Sequence, residues 1–229
     1  MKATEDCLKD LAVFSRLDRE EIKMICENSH VKSYSQGEII FFEKDDSKNL
    51  YLLVRGRVKL TMLSPEGKEK VLTILQEGDL FGEISLFDHN PHPVTAEVQK
   101  NARLLTLPYD RLENMIIDKP RLALKIIESL SKKTRLLTSE VRDLVFHDAT
   151  ERMANLLLRF GENFGRKDNG RTIIDLVLTH QEIANLLGVS RVTVTKTINK
   201  LIDQELITIE DKHIVIRDRQ RLEEITNDV

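Results

Sequence analysis

The segment Thr179-His180-Gln181-Glu182-Ile183-Ala184-Asn185-Leu186-Leu187-Gly188-Val189-Ser190-Arg191-Val192-Thr193-Val194-Thr195-Lys196 carries the residue types that grip a DNA duplex. Thr179 and Glu182 have the spacing of a capping box, in which each side chain meets a backbone N–H at a helix start. Ile183, Ala184 and Leu187 form the inner face of that helix, and the small Ala184 lets a second helix cross closely. Gly188 suits the tight turn between the two. Ser190 caps the second helix, whose back is Val194, Ile198 and Leu201. Its opposite face shows Arg191, Val192, Thr195, Lys196 and Asn199. A recognition helix has this layout, with its N-terminal residues reaching base edges in the major groove. Arg191 and Lys196 can donate to guanine or to phosphate. Thr179 and His180 sit at a helix N-terminus, which favours phosphate. The candidate DNA-contacting residues are Thr179, His180, Gln181, Ser190, Arg191, Val192, Thr193, Thr195, Lys196 and Asn199. A plain helical hairpin with a solvated face is the rival reading. The order of caps, small residue, turn glycine and a following hairpin argues against it.

The elements that must position this segment come in three textures. Residues 5–30 read as short helices, with Leu8, Leu11, Phe14 and then Ile22, Ile25, Cys26 at helical spacing and Asp18 as a cap. Residues 31–108 alternate short apolar runs with glycines at 37, 56, 67, 78 and 82. The runs are Glu38 to Phe42, Leu50 to Val54, Val58 to Leu63, Val71 to Leu75, Val94 to Val98 and Leu104 to Leu107. Strands at that spacing predict an all-β roll or barrel. Arg55-Gly56-Arg57, Ser64-Pro65-Glu66-Gly67 and Glu77-Gly78-Asp79 read as turns between strands. Residues 109–146 become helical, and Pro120 suits the first turn of a long helix. Ile126, Leu130, Thr134, Leu137, Val141 and Leu144 follow at steps of 4, 4, 3, 4 and 3, a heptad-like seam flanked by charge. The bland reading lays this helix on its own roll; the narrow seam favours a symmetric pair of helices, hence a homodimer. Residues 147–229 form a second unit. It has a helix through Met153, Leu156, Leu157 and Phe160, a loop at 164–169, a strand from Ile173 to Leu178, the helix pair, and two strands, Leu206 to Ile209 and His213 to Ile216, forming a wing.

The expected architecture is therefore α+β: a β-roll over 1–118, a dimerisation helix over 119–146 and a winged helix-turn-helix over 147–229. The net charge of −3 excludes a chain that is basic throughout, though DNA binding needs only a local basic face. Aromatics are 5% and Trp is absent, which disfavours base-stacking platforms. No apolar run is long enough for a membrane span and the first residues lack a signal core, so a cytoplasmic protein is expected. Cys7 and Cys26 are two thiols, too few for an iron–sulfur cluster in one chain, and both fit apolar helix faces. No cofactor is expected.

These residues resemble the CRP/FNR family of bacterial regulators over nearly the whole chain. The resemblance rests on Gly-Arg-Val-Lys-Leu at 56–60, Glu-Gly-Asp-Leu-Phe-Gly-Glu-Ile-Ser-Leu-Phe at 77–87 and Val-Ser-Arg-Val-Thr-Val-Thr-Lys at 189–196. It implies a cyclic-nucleotide-binding-type roll, a homodimer through the long helix, a two-fold-symmetric (palindromic) operator, and contact with RNA polymerase as an activator. Carried over by motif, the effector pocket comprises Gly82, Glu83, His92, Thr95, Leu137 and Thr138; the expected dimer interface is the seam Ile126, Leu130, Thr134, Leu137, Val141 and Leu144.

The pocket departs from the nucleotide-binding pattern. An Arg-Ser or Arg-Thr pair that would hold a cyclic phosphate is replaced by His92-Pro93. Pro93 has no N–H, and neutral His92 cannot make a guanidinium's bidentate clamp. Leu137 lacks a hydroxyl for the base. Cyclic AMP is therefore not the expected effector. Val192 stands where many relatives carry Glu, so the operator is expected to differ as well. His30, His89, His92, His147, His180 and His213 lack a spacing that specifies haem, and each reads best as a surface residue. The rival function is an enzyme holding metal or a small molecule at Glu83, His89 and His92, but no nucleotide loop or nucleophile motif accompanies it. A kinase regulatory subunit is a third reading, opposed by the helix pair at the C-terminal end.

Overall fold

The computed structural model describes residues 18–46 and 48–227. Cys7 and the expected helix around Leu8, Leu11 and Phe14 lie outside the described residues. The chain divides into two compact units, one up to Thr134 and one from Arg135.

In the first unit, α1 (Arg19–Asn28) begins with the expected Asp18 cap, completed by Glu21 into a capping box. The strands β1 (His30–Tyr34), β2 (Ile39–Phe41), β3 (Asn49–Leu63), β4 (Glu69–Leu75), β5 (Leu80–Phe81) and β6 (Thr95–Pro108) form one antiparallel sheet. Its order is β1-β6-β3-β4, with β2 on β6 and β5 on β3. The short helix α2 (Glu83–Asp88) follows β5. α3 (Tyr109–Asp118) and α4 (Arg121–Phe146) are separate helices, so the helical stretch from 109 is broken just before and at Pro120.

Two long strands replace four expected short ones. Gly56 lies inside β3, not between strands. Its φ is +101°, and a Cβ there would stand 2.3 Å from the Asn101 carbonyl oxygen. The β3–β6 register shifts at this point, so the glycine is a bulge pressed onto its partner strand.

Side-chain alternation explains why β3 is buried on both faces. Leu50, Leu52 and Val54 join Leu105 and Leu107 under Ile22, Ile25, Leu112, Met115, Leu122 and Ile126 from the helices. Tyr51, Leu53 and Val58 turn the other way, into the roll with Phe41, Phe81, Val98 and Leu104. Cys26 packs against the first cluster.

The second unit contains α5 (Ala149–Asn163), α6 (His180–Leu187), α7 (Arg191–Asp203) and α8 (Arg219–Asn227). A four-stranded sheet runs β7 (Gly165–Asp168), β8 (Arg171–Ile174), β10 (His213–Ile216), β9 (Ile207–Glu210). The expected loop at 164–169 is therefore largely strand β7. The strand expected from Ile173 to Leu178 begins two residues earlier, at Arg171, and ends at Ile174. The wing hairpin is β9–β10, paired from Ile207↔Ile216 to Glu210↔His213.

Candidate nucleic-acid interface

α6 starts at the Thr179–Glu182 capping box: Thr179 N donates to Glu182 Oε2 (2.7 Å) and Glu182 N to Thr179 Oγ1 (3.2 Å). It ends at Gly188 in the left-handed conformation. Ser190 Oγ accepts from Thr193 N (3.0 Å) and starts α7. Ile183, Ala184, Leu187, Val194, Ile198 and Leu201 are all buried, so the two helices are held by their apolar faces. Burying these side chains, each worth about 1.5–3 kcal/mol where large, fixes which face of α7 looks outward.

The outward face divides the ten candidate residues. The imidazole Nδ1 of His180 lies 2.9 Å from Thr195 Oγ1, which itself donates to the Arg191 carbonyl (3.1 Å). Thr193 Oγ1 meets Ser190 Oγ at 2.8 Å, and Gln181 donates to Asn185 (2.8 Å). Thr179 is used by its capping box. The His180–Thr195 contact links the two helices, and the others are made within one helix or its cap. Arg191, Val192, Lys196 and Asn199 are exposed, and their side chains take part in no hydrogen bond or ion pair among the described residues. Fixed charge and hydrogen-bonding capacity therefore remain unspent on one face of α7.

The pocket residues in the roll show the opposite arrangement. Gly82 is tight against Asn49 O and the Tyr51 ring, each 2.8 Å from where a Cβ would stand. Glu83 is buried, and its Oε1 receives a 2.7 Å bond from Lys133 Nζ, which also donates to Leu80 O at 2.7 Å. Lys133 is not among the candidate residues drawn from the sequence. The signal was a cation on the same helix face as Ile126 and Leu130. His92 is 2% exposed, stacked on Phe41 at 3.7 Å between centroids, with Nδ1 2.6 Å from Ser85 Oγ. Burial pushes its pKa below the usual histidine value, only partly opposed by Asp45 and Glu83. Glu83 Oε2 and His92 Nε2 are each buried without a hydrogen-bond partner among the described residues. Thr95 Oγ1 accepts from Glu43 N (2.9 Å). Leu137 and Thr138 are exposed on α4.

Two expectations are corrected here. Histidine as a surface residue holds for His30 and His89, but His92 is buried in the roll, because its ring completes the Phe41–Tyr51–Phe81 aromatic cluster. Two residues of the expected helix seam are also used within the chain. Ile126 is 6% exposed and packs with Leu130 against the roll, so these two serve the chain's own core. Thr134, Leu137, Val141 and Leu144 stay exposed as expected, and Leu124 (63% exposed), Ile127 and Val145 join them. Positions 124, 127, 131, 134, 138, 141 and 145 then form the 3–4 repeat. The Ser131 and Thr134 hydroxyls donate to Ile127 O (2.8 Å) and Leu130 O (2.9 Å), so they carry no unmet bond into a helix contact.

Residues 31–119 match the family described as Cyclic nucleotide-binding domain, and residues 151–225 the Crp-like helix-turn-helix domain. The Global nitrogen regulator of Synechococcus elongatus is 30% identical over 221 residues, covering 94% of this chain and 95% of the relative. The CRP/FNR family contains this chain. A CRP-like cAMP-activated global transcriptional regulator of Mycobacterium tuberculosis is 29% identical over 218 residues, 95% of this chain and 97% of that one. Among solved structures, a CRP/FNR-family transcriptional regulator from Thermus thermophilus superposes with a TM-score of 0.73 at 26% identity, over 87% of this chain and 99% of that one. The c-di-GMP responsive global regulator CLP of Xanthomonas campestris gives 0.77 at 25%, over 88% and 100%.

As a CRP/FNR member the protein is a DNA-binding transcription regulator and not an enzyme. The Glu83–His89–His92 metal reading finds no support: no group of three His, Cys, Asp or Glu side chains could hold a metal ion among the described residues. No helix among them is long and apolar enough to cross a membrane. His92 is turned into the core with its charged form disfavoured, Pro93 offers no N–H, and the Lys133 ammonium is engaged by Glu83.

Proposed function

We propose that this CRP/FNR regulator acts in the cytoplasm as a homodimer on a palindromic operator, activates transcription through contact with RNA polymerase, and binds its operator without cyclic AMP. The observation that carries the reading is the unpaired cationic face of α7, Arg191 and Lys196, on a helix pair whose Thr179, His180, Gln181, Ser190, Thr193 and Thr195 side chains are engaged internally. The exposed apolar stripe on α4 supports the homodimer, since a stripe of this kind on a long helix is stable only when covered. The buried His92 and the Glu83–Lys133 pair support independence from cyclic AMP, because a phosphate anion would meet a neutral ring there.

Selection of bound duplexes from a random pool tests the operator reading. An inverted repeat is the expected product, its two half-sites about one helical turn apart; a selected site without two-fold symmetry contradicts it. Sedimentation tests the dimer, expected at twice 26.4 kDa. Val141→Glu places a charge on the stripe and should shift the equilibrium towards monomer; a stable wild-type monomer that still binds the repeat tightly removes the α4 interface.

A further inference from the structure

We infer that Val192 reads the 5-methyl group of a thymine in each operator half-site. This rests on the operator reading above. Arg191, Val192, Thr195, Lys196 and Asn199 span about 140° of the α7 circumference at about 100° per residue. Val192 lies within this stripe, 64% exposed. The hydroxyl of Thr195 is held by His180 and the Arg191 carbonyl, so it does not reach out beside Val192 as a hydrogen-bonding reader. Val192 itself offers no donor or acceptor. Placed against adenine, guanine or cytosine in the major groove, it would bury polar edges without partners, which is costly. Thymine alone among the four bases presents an apolar group there. Arg191, the preceding residue, matches the O6 and N7 acceptors of guanine. The half-site is therefore expected to place a guanine contact beside a thymine whose methyl meets Val192.

The test uses the wild-type dimer and duplexes recovered from the random pool, with each thymine replaced in turn by deoxyuridine, which removes only the methyl. One position per half-site should weaken binding about fourfold, the worth of one buried methyl group. Val192→Ala should bind the thymine and deoxyuridine duplexes equally at that position. Val192→Glu should move the selected base there to cytosine, whose N4 amine a carboxylate accepts. Equal wild-type affinity for every deoxyuridine duplex, or an undiminished penalty in Val192→Ala, overturns the inference and leaves the operator reading standing. Failure to enrich any sequence overturns both.

Discussion

The roll pocket and the outer face of α7 both hold polar side chains at positions where the family motifs fall, yet they use them in opposite ways. In the roll, Glu83 and His92 are buried and partnered by the chain's own Lys133 and Ser85. On α7, Arg191 and Lys196 are exposed and unpaired among the described residues. A buried pair holds its members in place, and breaking it leaves a desolvated charge. An exposed cation sheds only water and counterions when it meets a phosphate or a guanine. The same residue classes thus make structure in one region and leave recognition to the other.

The largest expected effect sharpens the roll side of this contrast. Lys133→Met leaves Glu83 buried without its counter-ion, and chemical denaturation should show a loss of up to about 3 kcal/mol. An unchanged midpoint would make the pair incidental. On α7 the pattern should reverse. Arg191→Ala should leave stability within about 0.5 kcal/mol, as at an unpaired surface position, while costing about 1–3 kcal/mol at the operator. Lys196→Ala, if Lys196 meets phosphate, should weaken all sequences alike and reduce the salt slope by about one per site. Full operator affinity in both variants would mean that another face of the unit meets DNA.

The smallest effect is a pH dependence. Burial holds the folded-state pKa of His92 below the 6.5 of the unfolded chain. The folded state therefore binds fewer protons, so the contribution is present above pH 6.5 and is lost as pH falls from there through the folded value. Thermal melts between pH 7 and 5 should show this loss, and His92→Asn should flatten it. An identical slope in the variant would assign the acid sensitivity elsewhere.

The helix-turn-helix was legible because it is local: two caps, a turn glycine and 3.6-residue periodicity lie within one continuous segment, and Thr179, Gly188 and Ser190 all play the expected parts. The roll was legible as a class but not in its strand count. Gly56 has the same composition signal in a turn and in a bulge, and only the approach of β6 decides between them. β1 escaped notice because its side chains are mostly exposed and show no alternating apolar pattern. α8 was hidden by its charge, with one fully buried anchor, Leu222. Two functional details depended on contacts distant in sequence. Lys133 meets Glu83 across 50 residues, and Ile126 looked like part of an intermolecular seam until the roll was seen to cover it.

Operator binding measured with and without cyclic AMP tests the contrast between the two regions most directly. Fluorescence anisotropy on the selected repeat should give the same affinity in both conditions, with calorimetry showing no uptake of the nucleotide. A rise of tenfold or more in operator affinity on saturation with cyclic AMP, accompanied by calorimetric binding, would contradict it and show that the roll still senses the nucleotide.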